Sequence, residues 1–315
     1  MNYRIAFCGL GSIAKRHLKN VSTYLTLQGD SCYVDLYRSS LGNPLPNELK
    51  DLVSETFLYA DEIPSNRQYD AVFITNPTSM HYETMLKFAE HTSSFFIEKP
   101  VFDCTTLDKK IFKVIENKPS YVACPLRYNS VLQHIKHNVD LNKVYAARAI
   151  SSSYLPDWRP GQDYRNTYSA HKELGGGVNI DLIHEWDYLT WFFGIPEKSH
   201  CIHDKISCLE IDSDDIATYI AKAGKTIIEL HLDYFGRHAI RTLDLFMPDD
   251  SIQCDILNGT ISYKKEGKTI QLDCERNTYQ LKEIEHFFNI INNKVDNDST
   301  PEHAYNVLKI AKGEL

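Results

Sequence analysis

The 315-residue chain has no paired cysteines, no basic block and no long apolar run, and each absence removes a class of protein. Its eight cysteines (8, 32, 104, 124, 201, 208, 254 and 274) stand apart, with no CxxC pair. A chain of this size needs no disulfide framework, so they are expected as reduced, mostly buried thiols. Lys and Arg total 34 against 42 Asp and Glu, a formal net charge of −8, and no Lys/Arg run makes a local basic footprint. A nucleic-acid partner held through phosphates is therefore not expected. No apolar stretch approaches bilayer length, and no charged-then-apolar leader precedes the first strand-like run. The expectation is a cytoplasmic protein with no membrane partner. Histidines 17, 134, 137, 231 and 286 lack metal-ligand spacing, so no metal is predicted. Repeats and low-complexity tracts are also missing. What remains is an ordinary globular composition, 43% hydrophobic and 24% charged, long enough for two domains.

The first third carries a recognisable pattern. Residues 3–8 (YRIAFC) form a short apolar run, followed by Gly9-Leu10-Gly11-Ser12-Ile13-Ala14 and a helical segment through about residue 25. In such a strand, turn and helix the first glycine permits the tight turn. The second lets backbone N–H groups approach a pyrophosphate at the positive end of the helix. Ala14 takes the third, small position. Alone, GxGxxA also fits a plain strand-to-helix turn; its place directly after the first strand favours a dinucleotide. A second strand, 32–37, runs into Arg38-Ser39-Ser40, where NAD-preferring folds place an acid and NADP-preferring folds a cation with small hydroxyls. Asp35 lies inside the strand run, too early for that loop. NADP(H) is therefore favoured, with NAD(H) the alternative. A third strand, 70–75, leads through Asn76, Thr78 and His81 into a helix. A fourth, 94–97, ends in Glu98-Lys99-Pro100. Asn76, Thr78, His81, Glu98 and Lys99 thus stand at the carboxyl ends of parallel strands, where such sheets bind ligands.

Residues 173–194 (ELGGGVNIDLIHEWDYLTWFFG) run three glycines into a helical pattern. At 3.6 residues per turn, Val178, Leu182, Trp186, Leu189 and Phe193 share one side. Asp181, His184, Glu185 and Tyr188 cluster roughly 120° away. The expectation is one amphipathic helix with a packing face and a working face. Glycines 175–177 would allow close approach of another backbone or of a flat ligand.

With GLGSIA at the N-terminus, EKP at 98–100 and the GGG-to-helix segment bearing Asp181 and His184, the sequence resembles the Gfo/Idh/MocA oxidoreductase family over essentially its whole length. The resemblance implies an N-terminal Rossmann domain and a C-terminal α/β domain with a large, mostly antiparallel sheet, assembled as a homodimer or homotetramer. It implies Lys99 beside the nicotinamide, often with a cis Lys-Pro peptide, and His184 with Asp181 as further catalytic residues. The family's Asp-to-His spacing is four; here it is three. The family's Trp-Arg pair before the triple glycine, near the cofactor, is matched in distance by Arg165, whose neighbour is Tyr164. The segments YLPDWRPGQDYR and HEWDYLTWFFG resemble the branch in bacterial surface-sugar biosynthesis, with nucleotide-linked sugars as substrates. The implied reaction is hydride transfer between the nicotinamide and a secondary alcohol or ketone of a sugar. The alternatives are a redox-neutral epimerase, eliminase or glycosidase with tightly held cofactor, and a non-catalytic sugar sensor.

The remainder divides at about residue 124, giving domains 1–124 and 125–315. A strand is predicted over 121–127, a helix over 131–137 and a strand over 143–153. The loop 154–172 is rich in aromatics and arginine: Trp158, Tyr164 and Tyr168 offer flat faces for a base or sugar, Arg159 and Arg165 a clamp for diphosphate or carboxylate. Interdomain packing is the competing reading of this loop. Arg127, Tyr188 and Tyr234 complete the candidate substrate residues, the last with packing as the favoured reading. Strands at 201–211, 215–223, 225–234, 239–247, 251–256 and 260–264 read as an antiparallel sheet. Helices over 279–293 and 302–312 close the chain.

Overall fold

The computed structural model describes residues 1–42 and 44–315. The chain divides into two compact units: Met1–Ala123 with Gln280–Tyr305, and Cys124–Tyr279 with Asn306–Leu315.

In the first unit, strands β1 (Asn2–Cys8), β2 (Ser31–Arg38), β3 (Glu55–Leu58), β4 (Ala71–Ile74), β5 (Phe95–Ile97) and β6 (Ser120–Val122) form one sheet in the order β3-β2-β1-β4-β5-β6. Every pairing is parallel. Helices α1 (Ser12–Gln28), α2 (His81–Phe88) and α3 (Lys110–Ile115) supply crossovers. The strands are near-continuous apolar runs because both faces are covered. Phe7, Phe73, Phe96 and Tyr121 stand in direct register across β1, β4, β5 and β6. The first three rings stack at 4.6 and 4.7 Å. His17 of α1 packs edge-on against Phe96, and Phe287 does so against Phe73 and Phe96.

Phe287 explains why the second domain is not the contiguous 125–315 expected. It belongs to α7 (Arg276–Ile291), which buries Ile284, Phe287 and Phe288. Phe287 meets Phe73, Phe96 and Tyr121 of the first sheet, and Phe288 meets Tyr3 and Tyr24. Near the first boundary, the expected strand 121–127 stops at Val122, and Pro125–Tyr128 turns as a short 3-10 segment. Proline there has no N–H for a ladder.

In the second unit, β7 (Ala146–Tyr154), β8 (Lys198–Asp204), β9 (Ile216–Ala223), β10 (Thr226–Asp233), β11 (Phe235–Phe246), β12 (Ser251–Asp255), β13 (Thr260–Tyr263) and β14 (Lys268–Gln271) form a sheet in the order β14-β13-β12-β11-β7-β10-β9-β8. All pairings are antiparallel except β7 with β10. Residues alternate strictly along β9: Ala217, Tyr219, Ala221 and Ala223 are buried, Thr218, Ile220 and Lys222 exposed. The buried face is covered by α6 (His184–Phe193), where Trp186 meets Tyr219 edge-on at 5.2 Å. Helix α4 (Ser130–Asn138) is capped by Asn129, whose side chain accepts from Val131 N–H. Short α5 (Val178–Asp181) precedes α6, and α8 (Pro301–Ala311) closes the chain. Among the described residues no helix is long and apolar enough to cross a membrane.

Candidate active site

The first unit presents its candidate residues at the carboxyl ends of its strands. β1 ends at Cys8 and α1 begins at Ser12, so three residues make the turn. Gly9 has φ +95°, and a Cβ there would lie 2.8 Å from the Asn76 Cα, so only glycine lets this turn sit against the loop after β4. Gly11 is different: its φ is −73°, and nothing lies within 4 Å of where a Cβ would stand. No side chain caps α1, and no acid occupies its first turn. Ser12 is exposed and Ile13 partly so, while Ala14 is buried beneath them. Unsatisfied N–H groups, a helix dipole and open space are what a pyrophosphate requires, so these residues fit a dinucleotide.

At the end of β2, Arg38 is partly exposed and Ser39 and Ser40 are exposed. Asp35 is fully buried; Arg4 and Arg67 each approach its carboxylate to 3.5 Å, and the Tyr69 hydroxyl donates to it at 3.0 Å. It is part of the sheet's interior.

After β4, Asn76 donates its side-chain amide to Thr84 at 2.8 Å, and Thr78 opens a short turn with part of its surface exposed. His81 is 1% exposed, its Nε2 3.1 Å from the Asn76 carbonyl and its Nδ1 3.2 Å from that of Val101. Burial lowers its pKa against the pull of those carbonyls, so the ring is neutral and donates to one of them. His81 therefore braces the loop from within, where cofactor contact was expected.

β5 delivers Glu98 and Lys99, both partly exposed, and the Lys99–Pro100 peptide is cis. The buried His17 ring stands with Nε2 2.5 Å from Glu98 Oε1, and Glu98 Oε2 accepts the Lys99 backbone N–H at 3.2 Å. Burial alone would raise the Glu98 carboxyl; His17, Lys99 and His81 overcome it and hold it below its usual value. Eighty-one positions separate His17 from Glu98, and no spacing signal connects them.

The second unit's candidate residues gather around Asp181. The single amphipathic helix expected here is two: α5 ends at Asp181, Leu182 turns at φ −97° and ψ 29°, and α6 starts at His184. His184 is partly exposed at that start. The polar face does not work as a face. Glu185 is fully buried against Arg241 Nε at 2.7 Å, and Tyr188 is fully buried too, which removes it as a substrate contact. The reason is that α6 is enclosed nearly all round, with residues 185, 186, 188, 189, 190 and 192 buried. Arg127 is likewise 1% exposed, held by Asp187 through two bonds of 2.9 and 2.7 Å, and serves packing.

Asp181 itself is nearly buried and accepts the Tyr234 hydroxyl at 2.6 Å. The Tyr168 hydroxyl bonds the same carboxylate, and burial together with that negative charge pushes its pKa up, although the ring as a whole is 46% exposed. Trp158 packs edge-on against Tyr234 at 5.2 Å, and Arg159 lies over the Tyr168 ring at 5.4 Å. Five of the predicted residues thus converge: Trp158, Arg159, Tyr168, Asp181 and Tyr234. Tyr234 is fully buried, with its ring against Trp158 and its hydroxyl on Asp181. Arg165 and Tyr164 lie elsewhere, with Arg165 paired to Asp163 at 2.9 Å and Glu210 at 3.1 Å, and the Tyr164 hydroxyl accepting the Glu210 N–H. Of the three glycines, Gly176 lies against the protein's own backbone, while a Cβ on Gly175 would meet nothing within 4 Å. A Cβ on Gly176 would stand 2.2 Å from the Tyr168 carbonyl oxygen, so its absence lets the Tyr168 loop lie against the start of α5. Among the described residues no cluster of three His, Cys, Asp or Glu side chains is placed to hold a metal.

A parallel doubly wound sheet with an uncapped, glycine-lined first turn, joined to an α/β unit on a large antiparallel sheet, defines a two-unit dinucleotide-binding architecture. Residues 3–120 match the model of the oxidoreductase family with an NAD-binding Rossmann fold. A curated relative, scyllo-inositol 2-dehydrogenase (NAD(+)) of Bacillus subtilis, is 23% identical over 213 residues; the match covers 64% of this chain and 57% of the relative. Among solved structures, UDP-N-acetylglucosamine 3-dehydrogenase of Acidithiobacillus ferrooxidans aligns with TM-score 0.77 at 17% identity, over 99% of this chain and 96% of the other. Scyllo-inositol dehydrogenase of Lactobacillus casei, with bound NAD(H) and scyllo-inositol, aligns with TM-score 0.78 at 20% identity and the same coverage. At these identities the likeness establishes the shared fold.

Proposed function

We propose that the protein is a nicotinamide-dependent oxidoreductase acting between a secondary alcohol and a ketone of a sugar, with a nucleotide-linked sugar as the substrate class. The observation that carries this reading lies within the first unit: Lys99 stands at the carboxyl end of β5, in the same parallel sheet whose first turn fits a pyrophosphate. The nicotinamide, when bound, supplies the hydride chemistry; Gly9, Gly11, Ser12, Ile13 and Ala14 would hold its pyrophosphate, and Arg38 and Ser39 its adenosine ribose. Lys99 offers an ammonium to the substrate oxygen and stabilises alkoxide charge. His184 takes the alcohol proton on oxidation and returns it on reduction. Asp181 is the orienting acid, acting on the loop through the Tyr168 hydroxyl. Arg159 and Trp158 supply a cation and a flat face suited to a diphosphate and a sugar or base.

The test is turnover of a panel of nucleotide sugars and free sugars, followed by nicotinamide absorbance. Lys99→Ala and His184→Ala should each lower kcat by roughly 10²–10⁴-fold while leaving dinucleotide affinity nearly unchanged. Normal rates in either variant would remove that residue from the mechanism. With Asp35 buried and Arg38 at the strand end, NADP(H) is the proposed cofactor form, although the scyllo-inositol 2-dehydrogenase is named for NAD(+) and the Lactobacillus casei enzyme holds NAD(H). Arg38→Ala should weaken NADPH binding and spare NADH; equal effects on both would reassign the preference.

A further inference from the structure

We infer that His17 is a positioning residue for Lys99, joined to it through Glu98, so that the helix that meets the pyrophosphate also fixes the peptide that carries the lysine. The inference rests on the proposed role of Lys99. His17 lies in the second turn of α1, the helix whose first turn is the anion site. Its ring is 1% exposed, between the Phe73 and Phe96 rings on one side and Glu98 on the other. Because the Glu98 carboxyl is held below its usual value, it is ionised and can only accept, so His17 Nε2 carries the proton and donates it at 2.5 Å. The second Glu98 oxygen accepts the Lys99 N–H at 3.2 Å, which closes a link from α1 to the Lys99 backbone. Nδ1 of His17 is buried with no hydrogen-bond partner. A histidine placed for packing alone would not need to bury that nitrogen; phenylalanine would fill the space between the rings at less cost. The charged and titratable groups facing Glu98 are His17, Lys99 and His81. Two side chains therefore hold the end of β5 in one geometry, and a catalytic group displaced by about 1 Å loses up to about 100-fold in rate.

The experiment uses the full chain with His17→Phe, His17→Gln and Glu98→Gln. Lys99 is labelled with an amine-reactive reagent and its rate, read by peptide mass spectrometry, is normalised to exposed Lys143, with dinucleotide affinity measured separately by fluorescence. In His17→Phe and Glu98→Gln the relative Lys99 rate is expected to change and dinucleotide to lose part of its protection of Lys99. Glutamine at 17 keeps an N–H donor and should restore both. On a substrate found by the panel, kcat should fall about tenfold or more with the dinucleotide KM unchanged. Unchanged Lys99 labelling in folded His17→Phe and Glu98→Gln would overturn the inference, as would failure of His17→Gln to differ from His17→Phe. Should His17→Phe not fold, Glu98→Gln against the parent chain decides. Labelling needs no turnover, so an inactive panel or an active Lys99→Ala would sink the proposed function and leave this result standing on its own.

Discussion

Two carboxylates carry opposite lessons at the scale of single residues. Asp181 is reached by two tyrosine hydroxyls, one of them at 2.6 Å from a fully buried side chain. Tyr234→Phe removes that donor and leaves a buried acid with less than it needs. The loss should be about 1–3 kcal/mol, read from the denaturant midpoint, whereas a change within error would show that water replaces the hydroxyl. Glu98 has a folded-state pKa below its ordinary value. Its contribution to stability is therefore fully present above the unfolded carboxyl value of about 4.3 and is lost as pH falls through the lower folded value. Glu98→Gln should flatten this acid limb in urea melts taken from neutral pH downward; an unaltered limb would assign acid sensitivity to other carboxylates. Neither partnership has a sequence signal. Lys99 and His184 are visible from their motifs, whereas His17 with Glu98 and Tyr234 with Asp181 depend on contacts 81 and 53 positions apart.

At the scale of elements, the two glycines of the β1–α1 turn separate stability from binding. Gly9→Ala places a Cβ 2.8 Å from backbone at φ +95°, so the turn itself must move, and both melting temperature and dinucleotide affinity should fall. Gly11→Ala meets nothing within 4 Å at an ordinary φ, so melting should be unchanged while the methyl group fills the anion's space. Affinity for dinucleotide should drop in calorimetric titration, and intact affinity would move the pyrophosphate away from this turn. The same distinction marks what periodicity revealed. The apolar runs at 3–8, 70–75 and 94–97 announced β1, β4 and β5 because buried parallel strands are continuously apolar. β3 and β14 escaped notice, since ETFL and KTIQ are short edge strands with little burial. The break at Leu182-Ile183 was hidden because Asp181 and His184 keep a helical spacing whether or not the helix is continuous.

For the whole molecule, sequence order misled only where the chain returns. Gln280–Tyr305 joins the first unit because its aromatic face matches rings laid down by β1, β4 and β5, and nothing local in 276–291 announces that partner. The second unit leaves a different face unmatched. Along β8, β9 and β10, Ile202, Ile220 and Ile227 are 78, 58 and 39% exposed, on the side of the sheet opposite α6. Around them stand Thr218, Lys222 and the Arg148–Glu229 pair at 2.7 Å, a polar surround for an apolar strip. A second copy of the chain is the proposed occupant, in keeping with the homodimer or homotetramer expected from the family resemblance. In a two-fold pair each isoleucine would be buried on both copies, and covering a fully exposed one contributes about 1.5–3 kcal/mol, with proportionately less for Ile220 and Ile227. Ile220→Lys should then weaken self-association by roughly 100-fold or more. Sedimentation velocity of the parent chain and the variant across concentration reads this directly. A parent chain that stays monomeric, or a lysine variant that associates as well as the parent, would return this face to solvent.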